Sequence, residues 1–270
     1  MVVGSVTAMM RSVARADATF QVLDALGRNR KKRRQRGEFL VHGVKPIDAA
    51  IAAGWPCTGV VYAEGRHRSR WAERVLDTLG SATHFALAPD LFDQLADRDE
   101  PGELIAIAAT RQRAFDEIVG PGPVLVLDRP SSPGNLGTLL RSAAAFGVAG
   151  VVVLGHAADI YDPRTVRASV GALFSVTVVE AGGAADVAPW LRAGGRRVLG
   201  LDEQAPVVLA AVERDRPLAV VLGNEGRGLA AGVKALCDTT ASIPMTGVAV
   251  TSLNVAVAGS IALYELSRPV

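Results

Sequence analysis

The chain has 270 residues, 49% hydrophobic, 21% charged and 5% aromatic, with a formal net charge of +2. This length predicts one large domain or two modest ones at ~100–200 residues each, with enough apolar content for a full core and against disorder over most of the chain. The longest apolar stretch, 138–155, is broken by Arg141, Gly147 and Gly150, which argues against a membrane span, and two cysteines, Cys57 and Cys237, are too few for a disulfide framework or a Cys-rich zinc site.

Residues 1–10 lack the basic stretch of a signal peptide and read as a loose terminus, or as an extension ahead of a start at Met9 or Met10. A helix is expected over 14–27, from Ala14, Ala18, Val22 and Leu26 at helical spacing, with Gly27 ending it. The run 28–36, RNRKKRRQR, then carries seven cations and no acid, leaving 22 basic against 27 acidic residues in the rest of the chain. A strand–helix alternation follows: strands at 38–42, 58–63, 83–86 and 103–108, helices at 44–53, 71–79 and 89–96. That pattern suits a small α/β/α layer domain over 37–110, preceded by the basic helix or arm 1–36. Residues 111–123, with Gly and Pro near their end, read as a linker. From 124 onward the strands are apolar and β-branched, at 124–128, 150–154, 175–179, 197–201 and 218–222, with crossovers near 185–194 and 228–236. Such strands belong to a parallel sheet covered on both faces, and 124–270 is expected to be one α/β domain.

Three segments of this second half carry polar and glycine residues at strand ends, where open parallel sheets bind ligands. The first, 128–147, holds Asn135, placed to cap the following helix, and Arg141 in an otherwise apolar helix that calls for a partner. The second, LGNEGRGL at 222–229, exposes backbone amides at Gly223, Gly226 and Gly228 around Asn224 and Glu225. It is neither a dinucleotide fingerprint nor a P-loop. The third, 243–266, runs from Ile243, Pro244 and Met245 to Thr251, Ser252, Leu253 and Asn254 and then a long apolar helix, with Thr251 or Ser252 available as its cap. Taken singly, each also reads as an ordinary strand–loop–helix.

In order and spacing, the three resemble the signature motifs of the SpoU/TrmH family of SPOUT methyltransferases: PGNLGTLLRSAAAFG, GNEGRGL and IPM…SLNVAVAGSIALYE. The stretch from Ile243 to Leu253 is one residue longer than the usual pattern, with Val248, Ala249 and Val250 where smaller or polar residues are common. FLVHGVKPIDAAIAAG, at 39–54, is similar to the opening of the RNA-binding domain that precedes the catalytic domain in many members. The resemblance implies a SPOUT domain with a trefoil knot, a homodimer whose sites are completed across the interface, and S-adenosylmethionine as cofactor. It implies methylation of a ribose 2′-hydroxyl in RNA, with ribosomal RNA favoured over tRNA; the low cysteine count points to a reducing cytoplasm. A non-catalytic RNA-binding protein of the same fold is the other class, and a resistance-type rRNA methyltransferase shares the layout.

Methyl transfer from a sulfonium to a hydroxyl is an in-line displacement, so the protein must align the partners and help the hydroxyl lose its proton. By resemblance, Asn135, Arg141, Glu225, Ser252 and Asn254 stand at that centre. Arg141 serves either as a base or as a cation stabilising the alkoxide. Asn135 and Asn254 position Arg141 or the ribose and phosphate, and Glu225 orients the hydroxyl or binds Arg141. The same resemblance puts the cofactor among Gly223, Asn224, Gly226, Ile243, Met245 and Leu253. Arg30, Lys31, Lys32, Arg33, Arg34 and Arg36 are expected to meet RNA phosphates, against the alternative of a merely solvated arm.

Overall fold

The computed structural model describes residues 9–96, 102–247 and 252–268. The chain divides into two compact units, one built from residues up to Arg111 together with Tyr161–Phe174, the other from Gln112–Ile160 and from Ser175 onward.

In the first unit β1 (Met10–Val13), β2 (Glu38–His42), β3 (Cys57–Ala63), β4 (Thr83–Leu87) and β5 (Leu104–Ala109) form a sheet in the order β1-β4-β3-β5-β2. Only β5 runs antiparallel to its neighbours. Helices α1 (Ala18–Arg28), α2 (Arg30–Arg36), α3 (Val44–Ala52), α4 (Arg70–Thr78) and α5 (Pro89–Leu95) complete the alternation. The start differs from expectation. Met10–Val13 pairs in parallel with β4, and Asp17 caps α1 by accepting from the Phe20 amide at 3.0 Å, so the helix begins at Ala18 rather than residue 14. Asn29, not Gly27, separates α1 from α2, and its side chain accepts from the Lys32 amide. Phe20, Leu23 and Leu26 of α1 pack into a core with Leu40, Val61 and Ile107 of the sheet.

The second unit holds β6 (Val124–Asp128), β7 (Gly150–Leu154), β8 (Val178–Ala181), β9 (Arg197–Leu201), β10 (Val207–Val208), β11 (Leu218–Leu222) and β12 (Thr239–Ser242). All pair in parallel, in the order β10-β12-β9-β11-β6-β7-β8. Helices α6 (Pro133–Ala145), α8 (Ala184–Ala193), α9 (Ala231–Lys234) and α10 (Val255–Ser267) belong here, whereas α7 (Pro163–Ser169) belongs to the first unit. The strand expected at 175–179 starts at Val178, because a 3-10 turn at Ala172–Phe174 precedes it. β12, TTAS, lacks the apolar run that marks the other strands and pairs in parallel with β9 and β10. Helix α10 lies on α6, where Ser142 and Ser260 hydroxyls meet at 2.7 Å. Gly259 permits this approach: a Cβ there would stand 2.5 Å from Leu139 and Leu222 side-chain carbons.

The basic run is ordered helix, and its cations differ in what they do. Arg33 is only 2% exposed; its guanidinium donates to the Leu26 carbonyl at 2.9 Å and lies 3.7 Å from Asp162. The expectation that Arg33 meets RNA is therefore corrected: it ties α2 to the end of α1 and to the segment ahead of α7. Arg36 pairs with Glu38 at 3.2 Å. Lys31, Lys32 and Arg34 are exposed, and Arg30 is partly so. Among the described residues no helix is long and apolar enough to cross a membrane.

Candidate active site

β6 and β11 are neighbours, so the loops leaving their carboxyl ends are neighbours too. The chain passes from β6 to β7 and β8 on one side of the sheet and to β9, β11 and β12 on the other, which makes this end a topological switch point. Asp128, the last residue of β6, is 2% exposed and fastens the two loops together. One oxygen accepts from the Ala230 amide at 2.6 Å, and both accept from Arg129 at 2.8 and 2.9 Å. Arg129 adopts a left-handed backbone with φ 51° and also donates to the Gly228 carbonyl at 3.2 Å.

The loop after β11 is closed by its own backbone, Asn224 and Gly228 exchanging hydrogen bonds of 3.0 and 2.9 Å. The Asn224 side chain accepts from the Gly226 and Arg227 amides and donates to the Arg129 carbonyl at 2.8 Å. A Cβ on Gly223 would run into the backbone of Gly228 and Leu229, so only glycine allows this tight turn. Glu225, at its tip, reaches across to the loop after β6. Its carboxylate accepts from the Ser131 amide and hydroxyl at 2.9 and 2.7 Å, the Ser132 amide at 3.1 Å and Asn135 Nδ2 at 3.1 Å. Partial burial opposes its charge, but the hydrogen bonds from Ser131 and Asn135 outweigh it and hold the carboxyl down at about 2. Glu225 is thus a fixed anion that clasps two loops; it makes no hydrogen bond or ion pair with Arg141.

Two capping expectations are corrected. Ser132, not Asn135, caps α6: its hydroxyl accepts from the Asn135 amide at 3.3 Å, with Pro133 as the first helical residue. Asn135 is thereby inside the first turn, and its side chain joins Glu225 on one side and Asn254 Nδ2, at 3.1 Å, on the other. Asn254 caps α10, accepting from the Ala256 and Val257 amides at 2.9 and 3.3 Å. Ser252 does not cap it; Thr251 and Val248–Val250 lie outside the described residues. Glu225, Asn135 and Asn254 therefore form one chain of hydrogen bonds across all three loops.

Arg141 stands apart. At ~100° per residue it lies about 120° around α6 from Asn135. It is exposed, not enclosed by apolar neighbours, and makes no hydrogen bond or ion pair with a described residue.

A cleft of about 440 Å³ opens between the loops after β9, β11 and β12. Gly223, Asn224, Gly226, Ile243, Met245 and Leu253 all line it, as do Glu225 and Ser252. Its size and mixture of backbone amides with apolar side chains suit an adenosyl group. Sequence reasoning missed Asp202, at the end of β9, and Lys234 of α9, which pair at 3.0 Å on the cleft wall. Hydrogen bonding from the Gln204 amide and Lys234 lowers the Asp202 pKa. It also missed Ser131 and Ser132, although Ser before Pro at a helix start is a capping signal.

The SpoU rRNA Methylase family model matches residues 122–264, and the SpoU L30e-like domain model matches residues 17–106. A 23S rRNA (uridine(2479)-2′-O)-methyltransferase from Streptomyces viridochromogenes is 40% identical over 98% of this chain and 94% of its own length. The crystal structure of the SpoU methyltransferase AviRb from the same organism, in complex with AdoMet, superposes with a TM-score of 0.88 at 39% identity, covering 93% of this chain and 97% of that one. An AdoMet-bound rRNA methyltransferase from Sinorhizobium meliloti gives 0.84 at 26% identity, over 95% and 97%. Similarity along nearly the whole length, joined to three loops knit at one end of a parallel sheet, makes this chain a member of the SpoU rRNA methylase family.

Proposed function

We propose that this protein methylates a ribose 2′-hydroxyl of ribosomal RNA, large-subunit RNA first, with S-adenosylmethionine as donor. The observation that carries the reading is the cleft at the switch point, lined by the second and third signature loops and fastened to the first through Glu225, in a chain 40% identical to a 23S rRNA 2′-O-methyltransferase. The cofactor supplies an already activated methyl group. Backbone amides of the 223–226 turn and the side chains of Ile243, Met245 and Leu253 hold its adenosyl part, and Glu225 keeps the turn in place by its clasp on Ser131 and Ser132. Asn135 and Asn254, fixed to one another, orient the ribose and phosphate beside Ser252. Arg141 acts as the cation that favours the alkoxide as the hydroxyl attacks.

Among the described residues Arg141 makes no hydrogen bond or ion pair, which supports a homodimer in which it serves the partner's site. Val257, Ile261 and Tyr264, 47%, 38% and 55% exposed, form an apolar stripe on α10 that supports the same reading. The return of the chain from β12 to lay α10 on α6 supports the knot implied by the family. The exposed cations of α2 in the first unit grip RNA phosphates, and the reaction takes place in the cytoplasm. Transfer of labelled methyl from S-adenosylmethionine to separated 23S, 16S and tRNA fractions tests this; label in 23S RNA is expected, and label only in tRNA would overturn the choice of substrate. Arg141→Ala should abolish transfer while cofactor binding, measured by calorimetry, persists.

A further inference from the structure

In the first unit a groove of about 370 Å³ opens beside α1, at the amino ends of β2, β3 and β4. Its floor is sheet: Phe85 of β4 and Ile107 of β5, separated by Gly59 of β3, where a Cβ would stand 3.0 Å from both side chains. Phe85 is only half-buried. Arg11, its register partner on β1, forms one rim, and Arg36, the last residue of α2, forms the other. Glu38 and Thr58 lie between them: Thr58 donates to one Glu38 oxygen at 2.8 Å, and the other is paired with Arg36 at 3.2 Å. The exposed Lys31 and Lys32 continue the positive surface from Arg36 along α2.

An aromatic floor, a wall of hydroxyl and carboxylate, and cations at the rim match the three parts of a nucleotide: a flat base, a hydrogen-bonding edge and a phosphate. An acidic peptide would satisfy the cations but leave the half-buried Phe85 ring uncovered. We propose that this groove holds one unpaired nucleotide of RNA, its base stacked on Phe85, its edge towards Glu38 and Thr58, and its phosphate on Arg11. This deepens the reading of the chain as an RNA methyltransferase and rests on it for the identity of the ligand as RNA.

The test uses the full chain with a short oligouridylate and, separately, a blunt RNA duplex. Phe85→Leu should weaken oligouridylate binding by about tenfold and spare both the duplex and S-adenosylmethionine. Phe85→Tyr, which keeps the ring, should bind as the parent does. Arg11→Gln should reduce the slope of log affinity against log salt by about 0.7, one phosphate contact. Ultraviolet cross-linking of the unaltered chain to oligouridylate should place the adduct on the peptide containing Phe85, a readout that stands even if Phe85→Leu fails to fold. Unchanged oligouridylate affinity in Phe85→Leu, equal weakening for single strand and duplex, or adducts confined to other peptides would overturn the proposal. Cross-linking at Phe85 with no methyl transfer to any RNA would retain the groove and remove the enzyme reading; transfer without the cross-link would do the reverse.

Discussion

Replacing Glu225 by Gln removes one charge and almost no volume, so it isolates the clasp between the loops after β6 and β11. The carboxyl ordinarily titrates at 4.5 and is here held at about 2. At ~1.36 kcal/mol per pH unit this corresponds to no more than roughly 3 kcal/mol of preference for the ionised form. Glu225 is exposed to solvent, and screening reduces the part that reaches stability to about 1–2 kcal/mol. Because the folded value lies below the unfolded one, this stabilisation is complete above about 4.5 and is lost as the pH falls towards about 2. Urea unfolding of Glu225→Gln and of the parent chain should therefore differ by about 1–2 kcal/mol near neutral pH, and the gap should narrow at about pH 3. Hydrogen exchange should show the Ser131 and Ser132 amides less protected in the variant, since both donate to this carboxylate. Equal stabilities near neutral pH, or a gap unchanged at low pH, would refute the assignment of Glu225 as a charged clasp.

Gly223→Ala places a methyl group against the backbone of Gly228 and Leu229, which cannot swing aside as a side chain can. The loop should shift at a cost of roughly 1–3 kcal/mol, and calorimetry should record S-adenosylmethionine affinity reduced about tenfold or more. Asn254→Ala removes the cap of α10 and the bond to Asn135 together, so a stability loss of about 1 kcal/mol from the cap is expected, with methyl transfer reduced further than cofactor binding. Arg33→Ala should destabilise the first unit by about 2–4 kcal/mol, read by thermal unfolding, because the buried Leu26 carbonyl loses its donor and Asp162 keeps only Arg164 of its two cations. Lys31→Ala with Lys32→Ala should leave stability unchanged and flatten the salt dependence of RNA binding by a slope of about 1.5; a loss of stability there, or an unchanged slope, would count against phosphate contact by α2.

Much of the architecture is legible in the chain itself, because the signals are local. Apolar β-branched runs at 124–128, 150–154, 197–201 and 218–222 are the strands observed, since a strand buried on both faces needs such residues whatever its neighbours. β1 and β12 escape for the same reason: MRSV and TTAS carry no such run, and their pairing with β4 and β9 is decided by the sheets. The six residues that the family resemblance placed around a cofactor all line one cleft, since they sit in loops after strands and a parallel sheet brings those ends together.

The opening charge of +2 is refined in the same way. The sequence alone locates seven cations in 28–36, but only the fold separates buried Arg33 from exposed Lys31 and Lys32. Spacing alone assigned Asn135 to a cap, and the structure gives that task to Ser132 and frees the amide to bridge Glu225 and Asn254, 90 and 119 residues away. No periodicity reports a partner at that distance. Local pattern determined most of the elements, and the resemblance of three motifs implied the kind of chemistry; tertiary packing decided which polar group each side chain meets, because a hydrogen bond depends on position in space and not on separation along the chain.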